Sequence, residues 1–152
     1  MIQKILVTDD GTEVSNRALK VASEIAGACN AHIVLLHIVE PIEDPNTIIF
    51  ENNEELIEKA KMMNLETTTE DPWIKRAEEI TDNLGKQNIS SDIECLTGDV
   101  TEKILEYAET KKVDMIVMGS SKRLKGISKI KALDSATRKV SELAKCPVLI
   151  IH

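Results

Sequence analysis

Apolar residues in this chain fall into short blocks separated by stretches whose apolar positions recur at helical spacing. The first block, Ile2 to Thr8, is rich in β-branched residues and predicts a buried strand ending in a tight turn at Asp9-Asp10-Gly11-Thr12. Thr12 or Ser15 then caps a helix in which Val14, Ala18, Val21, Ala22, Ile25 and Ala26 share one face, closed by Gly27 to Asn30. Ile33 to Val39 is the most hydrophobic segment of this half and predicts a central parallel strand covered on both sides.

From Glu40 to Asn53 the pattern breaks, with Pro41 and Pro45 in an acidic stretch. A helix resumes near Glu54 with Leu56, Ala60 and Met63, and pauses at Thr67 to Thr69 ahead of Pro72. Ile74, Ala77, Ile80 and Leu84 form another stripe, closed by Gly85. Ser91 to Leu96 alternates Ile93 and Cys95 with polar neighbours, as a half-exposed edge strand does. Gly98-Asp99 leads into a helix bearing Val100, Ile104, Leu105 and Ala108. Val113 to Met118 is a strand, Asp134 to Ala144 a helix and Val148 to Ile151 a last strand. Strands alternating with helices imply an α/β fold with an open, doubly wound, mostly parallel sheet. Ligands of such sheets sit beyond the carboxyl ends of the strands. Thr8 to Asp10, Ile38 to Glu40 and Met118 to Ser121 would gather there.

Composition narrows the class. The 152 residues suit a single domain, 1–152, that buries roughly 70% of its unfolded surface. Nineteen basic and 26 acidic side chains leave a net charge of −7, which argues against nucleic acid or an anionic membrane as partner. Lys4 interrupts the only early apolar run, so no signal peptide is expected, and no apolar stretch approaches the ~20 residues of a membrane span. Cys29, Cys95 and Cys146 are far apart and odd in number, which suggests neither a zinc site nor a disulfide framework. The expectation is a soluble cytoplasmic protein.

Candidate chemistry concentrates near the end of the chain. After the strand Val113 to Met118 come Gly119-Ser120-Ser121, then a loop with Lys122, Arg123, Lys125, Lys129 and Lys131, then Asp134-Ser135-Ala136-Thr137 opening a helix. A glycine turn and a helix start bring backbone N–H groups to bear on an anion. The basic loop either neutralises phosphates or is a solvated loop in an acidic protein. Asp134 suits the N-cap of the last helix. Elsewhere, His32 and His37 are five apart on one strand, hence on opposite faces, and cannot bind a metal together. Ser120, Ser121 and Ser135 have no evident histidine partner for nucleophilic catalysis. The pair Asp9-Asp10 after the opening strand raises a phospho-accepting receiver domain holding Mg2+ as a rival. That domain needs an Asp ending its third strand and a Lys-Pro at its fifth. Here stand Thr97-Gly98 and Cys146-Pro147.

Three stretches carry a specific resemblance. Ile5-Leu6-Val7-Thr8-Asp9-Asp10-Gly11-Thr12, then Leu35-Leu36-His37-Ile38-Val39, then Gly98-Asp99 through Val113-Asp114-Met115-Ile116-Val117-Met118-Gly119-Ser120 with Lys145-Cys146-Pro147-Val148 resemble the universal stress proteins over essentially the whole chain. The resemblance implies a five-stranded Rossmann-like sheet of order 3-2-1-4-5 with helices on both faces. It also implies a stress-response module that binds ATP or a related adenine nucleotide with Mg2+, with at most slow hydrolysis and no catalytic residue assigned. Thr8, Asp10, Ile38, Met118, Gly119, Lys122, Gly126, Ser135 and Ala136 are the positions it assigns to the nucleotide, with Asp10 near the ribose and Ile38 and Met118 as apolar neighbours of adenine that any such fold would bury. It implies a homodimer through Val148 to Ile151 as well.

The phosphate loop departs from the family pattern of Gly, two residues, Gly, nine residues, Gly and Ser or Thr. Gly119 and Ser135 match its ends, Lys122 stands at the second glycine, Asp134 at the third, and the segment is two residues longer, so Gly126 is a displaced second glycine. Asp134 adds bulk and a charge that repels phosphate by ~4 kcal/mol at ~4 Å and an effective dielectric of ~20. Beside the nucleotide module stands a second reading, a non-nucleotide dimeric interaction module of the same fold.

Overall fold

The computed structural model describes residues 1–41, 72–120 and 136–152. The elements in order are β1 (Lys4–Thr8), α1 (Glu13–Cys29), β2 (His32–Val39), α2 (Pro72–Lys86), β3 (Ser91–Thr97), α3 (Val100–Thr110), β4 (Met115–Gly119), the described part of α4 (residues 136–143) and β5 (Val148–Ile151). The five strands form one parallel sheet in the order β3-β2-β1-β4-β5. The expected helix near Glu54 and the start of the last helix at Asp134 lie outside the described residues.

β1 is the centre of the sheet because it is apolar on both faces. Ile5, Leu6 and Val7 are wholly buried, paired in register with Ile33 to Leu35 on one side and Met115 to Val117 on the other. Side chains alternate between two cores, as the two-residue period of a strand requires. Ile5, Val7, Ile33, Leu35 and Val117 pack with the small Ala18, Ala22 and Ala26 of α1 and with Trp73, Ala77 and Leu84 of α2. Leu6, Val34, Leu36, Ile116 and Met118 pack with Ile104 and Ala108 of α3 and Val140 of α4. Both faces are covered, which is what continuous apolar strands demand.

Helix ends follow local chemistry, with two departures from expectation in α2. Thr12 caps α1, its Oγ1 accepting from the Ser15 N–H at 3.2 Å, and Asp99 caps α3 by accepting from the Glu102 N–H at 2.9 Å. Within the expected closing stretch Gly27 to Asn30, it is Asn30 that ends α1: it takes the left-handed conformation at φ 55° and donates its N–H to the Ala26 carbonyl. Gly85 lies inside α2, which runs to Lys86 and is followed by Asn88 at φ 60°. The buried stripe of α2 is Trp73, Ala77, Ile80 and Leu84, and Ile74 faces solvent at 43% exposure. Trp73 and Ile74 lie four and three residues before Ala77, spacings that both suit one helical face, and the aromatic takes the inner position. Pro72 opens α2, where its missing N–H costs nothing.

The strand order also removes the receiver-domain rival. Receiver domains wind as 2-1-3-4-5, whereas here β1 lies between β2 and β4. At the edges stand β3, with the polar Ser91, Asp92, Glu94 and Thr97, and β5, which has no charge and is half-exposed throughout. No helix of the described residues is long and apolar enough to cross a membrane.

Candidate functional site

A cleft opens where β1, β2 and β4 end. Thr8 and Asp10 at the end of β1, Ile38 near the end of β2, Met118 and Gly119 of β4 and Ala136 at the start of the described part of α4 line it together. These are six of the nine positions assigned from the resemblance. Lys122, Gly126 and Ser135, along with Asp134 and the basic loop, lie outside the described residues. Val100 and Ile104 add apolar surface from α3. Met118 is buried as expected, but Ile38 is only half-buried, because it stands at the mouth beyond the last strand pairings to β1. The free volume is about 110 Å3, below the roughly 300–1,000 Å3 of pockets that enclose a drug-sized ligand.

Local backbone geometry sets the Asp10 carboxylate. Gly11 takes φ +79°, which lets the chain turn sharply between β1 and α1. Asp10 Oδ1 accepts from the Thr12 N–H at 3.0 Å and from the Thr12 hydroxyl. Asp10 thus satisfies turn donors and lines the cleft at once. Gly119 has a packing reason of its own. A Cβ there would meet Val14 Cγ1 at 2.7 Å and the α1 backbone at Val14 C and Ser15 N, at 3.2 and 3.3 Å. The glycine lets β4 end against the first turn of α1.

Asp9, expected among the residues gathered at the strand ends and, in the receiver-domain rival, paired with Asp10 around Mg2+, is the hub of the site. Its side chain is buried, at 5% exposure for the residue. Oδ1 accepts from the Gly11 N–H at 3.2 Å, the Ser15 hydroxyl at 2.9 Å and an Arg76 terminal nitrogen at 2.9 Å. Oδ2 accepts from Arg76 Nε at 3.1 Å and Trp73 Nε1 at 3.2 Å. Burial pushes this carboxyl up, but the hydrogen bonds and charge of Arg76, with Ser15 and the Gly11 N–H, outweigh it and hold Asp9 below the ordinary carboxylate value. The hydrogen bonds to Asp9 likewise hold Arg76 above its ordinary value, and Asp10 adds to this through its charge. Both Asp9 oxygens are committed to cationic and N–H donors, so the acid pair is not arranged as a Mg2+ site. Among the described residues no group of three or more His, Cys, Asp or Glu side chains is placed to hold a metal ion.

His37 joins this hub from β2. Its Nδ1 lies 3.0 Å from the Asp9 carbonyl oxygen, and its ring stacks on Trp73 with centroids 4.5 Å apart and planes 17° from parallel. A carbonyl only accepts, so Nδ1 carries the proton in this bond. His32 has different partners, Ser90 Oγ at 2.8 Å and Asp92 Oδ2 at 2.9 Å on the β3 edge. Sequence reading missed Arg76 and Trp73. The available signal was Asp9 itself, since a carboxylate ending a buried strand requires a donor partner.

Ser120 corrects another expectation. Its hydroxyl lies 2.8 Å from His152 Nδ1. The two are 32 residues apart, and they meet because β4 and β5 are neighbours whose ends the Ser120 N–H joins by donating to the Ile151 carbonyl at 2.7 Å. Sequence spacing carries no trace of that adjacency. The pair is exposed and ties two strand ends together.

Comparison with known proteins agrees with this architecture. The model of the universal stress protein family matches residues 1–152. The stress response protein NhaX of Bacillus subtilis (strain 168) is 31% identical over 166 residues, covering 97% of this chain and 96% of that protein. Among solved structures, universal stress protein UspA from Lactobacillus plantarum superposes with a TM-score of 0.72 at 20% identity, over 99% of this chain and 97% of that one. A universal stress protein crystallised in complex with cAMP superposes with a TM-score of 0.66 at 22% identity, over 99% and 96%.

Proposed function

The chain belongs to the universal stress protein family, and we propose that it is a regulatory binding module of a cytoplasmic stress response, taking an adenine nucleotide in the cleft at the ends of β1, β2 and β4. The observation that carries this reading is convergence: Thr8, Asp10, Ile38, Met118, Gly119 and Ala136 are scattered along the chain yet line one cleft. A structural neighbour that holds cAMP supports the ligand class. In this reading Ile38 and Met118 flank the base and Asp10 accepts hydrogen bonds from ribose hydroxyls. The phosphates extend past Gly119 toward the segment with Lys122, Gly126 and Ser135, and Mg2+ accompanies ATP on its phosphates. No residue is assigned a catalytic role.

Calorimetric titration with AMP, and with ATP in the presence and absence of Mg2+, tests the reading directly. Binding that is weakened in Asp10→Ala supports it, and absence of heat from every nucleotide removes it.

An interaction role at the β5 edge stands beside this. The Pro147 and Ile151 carbonyls accept from the N–H groups of Ile116 in β4 and of Ser120 just after it, so alternation turns the N–H groups of Val148 and Ile150 outward along an uncharged strand. Leu143 of α4 is 62% exposed. We read this edge as the seam of a homodimer, because an open apolar edge invites strand pairing.

A further inference from the structure

We infer that Arg76 is a positioning residue for ribose recognition: acting through Asp9, it sets the Asp10 carboxylate without touching the ligand. The inference rests on the adenine-nucleotide reading of the cleft. Asp10 sits between two peptide groups that are both held by bonds to Asp9. On one side, the Asp9 carbonyl is held by His37 Nδ1 at 3.0 Å. On the other, the Gly11 N–H donates to Asp9 Oδ1 at 3.2 Å. The Asp9 side chain keeps that second bond only while its own orientation is held.

Arg76 supplies that hold. Its Nε and terminal nitrogen reach Oδ2 and Oδ1 at 3.1 and 2.9 Å, a two-pronged contact that fixes a carboxylate in rotation as well as position. Arg76 is itself steadied by Asn16 Oδ1 on α1, and Trp73 on the same helix donates to Asp9 Oδ2 while stacking on His37. Arg76 is not among the residues lining the cleft, whereas Asp9, Asp10 and His37 are. The route is therefore α2 to Asp9, Asp9 to the turn, and the turn to Asp10. Remove the guanidinium and the buried Asp9 carboxylate keeps only the single donors of Ser15, Trp73 and Gly11, so its rotation is no longer fixed by the two-pronged contact and the Gly11 bond weakens. The turn that carries Asp10 and its two bonds from Thr12 then loosens, and the Asp10 carboxylate is held less closely in its direction toward the ribose.

The test compares AMP with 2′,3′-dideoxy-AMP, which carries the same base and charge but no ribose hydroxyls. Hydrogen bonds to a charged acceptor contribute about 1.5–3 kcal/mol, so the unmodified protein should prefer AMP by about tenfold or more. Asp10→Ala should bring the ratio of affinities close to one, and Arg76→Met should do the same. Because Arg76→Met leaves a buried carboxylate unpaired, Asp9→Asn/Arg76→Met provides a variant without that charge, and it too should lose the preference. Melting midpoints establish that each variant is folded; general destabilisation alone would not change the ratio. A folded Arg76 variant that keeps the preference overturns the proposal. Equal binding of both ligands by the unmodified protein overturns it and leaves the nucleotide reading standing. No binding of either ligand removes both.

Discussion

Gly119 and Val14 stand so close that any side chain on residue 119 would force β4 and α1 to adjust: an added Cβ would lie 2.7 Å from Val14 Cγ1. The same glycine lines the cleft and, by resemblance, opens a phosphate loop. Two demands therefore fall on one residue. Packing alone accounts for the glycine, with or without a ligand.

Gly119→Ala should consequently destabilise the protein in the absence of any nucleotide. Val14 Cγ1 can yield by rotation, but the α1 backbone at 3.2 and 3.3 Å can yield only by shifting the helix. A cost of about 1–3 kcal/mol is expected, the usual range for overpacking. Chemical denaturation of the ligand-free protein measures it, and an unchanged midpoint would show that the contact relaxes freely.

The Asp9 network predicts an acid-sensitive fold. Its folded pKa is lowered, so its stabilising contribution is fully present above the unfolded value, about 3.9, and is lost as pH falls through the folded value below it. Asp114 behaves alike, its carboxyl held low by the Gln3 and Lys4 N–H groups, each donating at 2.9 Å. The melting midpoint should decline on acidification below about pH 4 as a result. In Asp9→Asn the acid limb should be flatter; an unaltered slope would mean that Asp9 is not one of the titrating groups.

Asp134→Gly should tighten ATP binding more than AMP binding. The side chain it removes carries a charge of the same sign as the phosphates, and the added repulsion grows with their number. Calorimetry with both nucleotides on both proteins reads the effect. An equal change for AMP and ATP would place Asp134 away from the β- and γ-phosphates.

The β5 edge gives a prediction about assembly. Ile150→Pro removes an N–H that faces away from β4, so the sheet should persist while pairing through the edge is blocked, with some stability lost because Ile150 also packs on the second core. Light scattering at micromolar concentration should report a dimer for the unmodified protein and a monomer for the variant. A monomer in both cases would remove the edge-pairing reading.

Much of this protein was legible as a string. Ile5-Leu6-Val7 and Ile33 to Leu36 are short, β-branched-rich and apolar at every position, as strands covered on both faces are, and the alternation with helical stripes points to a parallel sheet. Residues at or just past the carboxyl ends of parallel strands must collect at one end of the sheet, so Thr8, Asp10, Ile38, Met118 and Gly119 could be named before their neighbours were known. Side-chain partnerships across elements were not legible. Arg76 reaches Asp9 across 67 residues, Trp73 takes the inner face of α2 that Ile74 was expected to occupy, and Ser120 meets His152 across the β4–β5 boundary. Strand and helix periods are local properties of the backbone and can be counted along the chain. Which carboxylate finds which guanidinium depends on how helices settle on the sheet, and only the tertiary structure decided that.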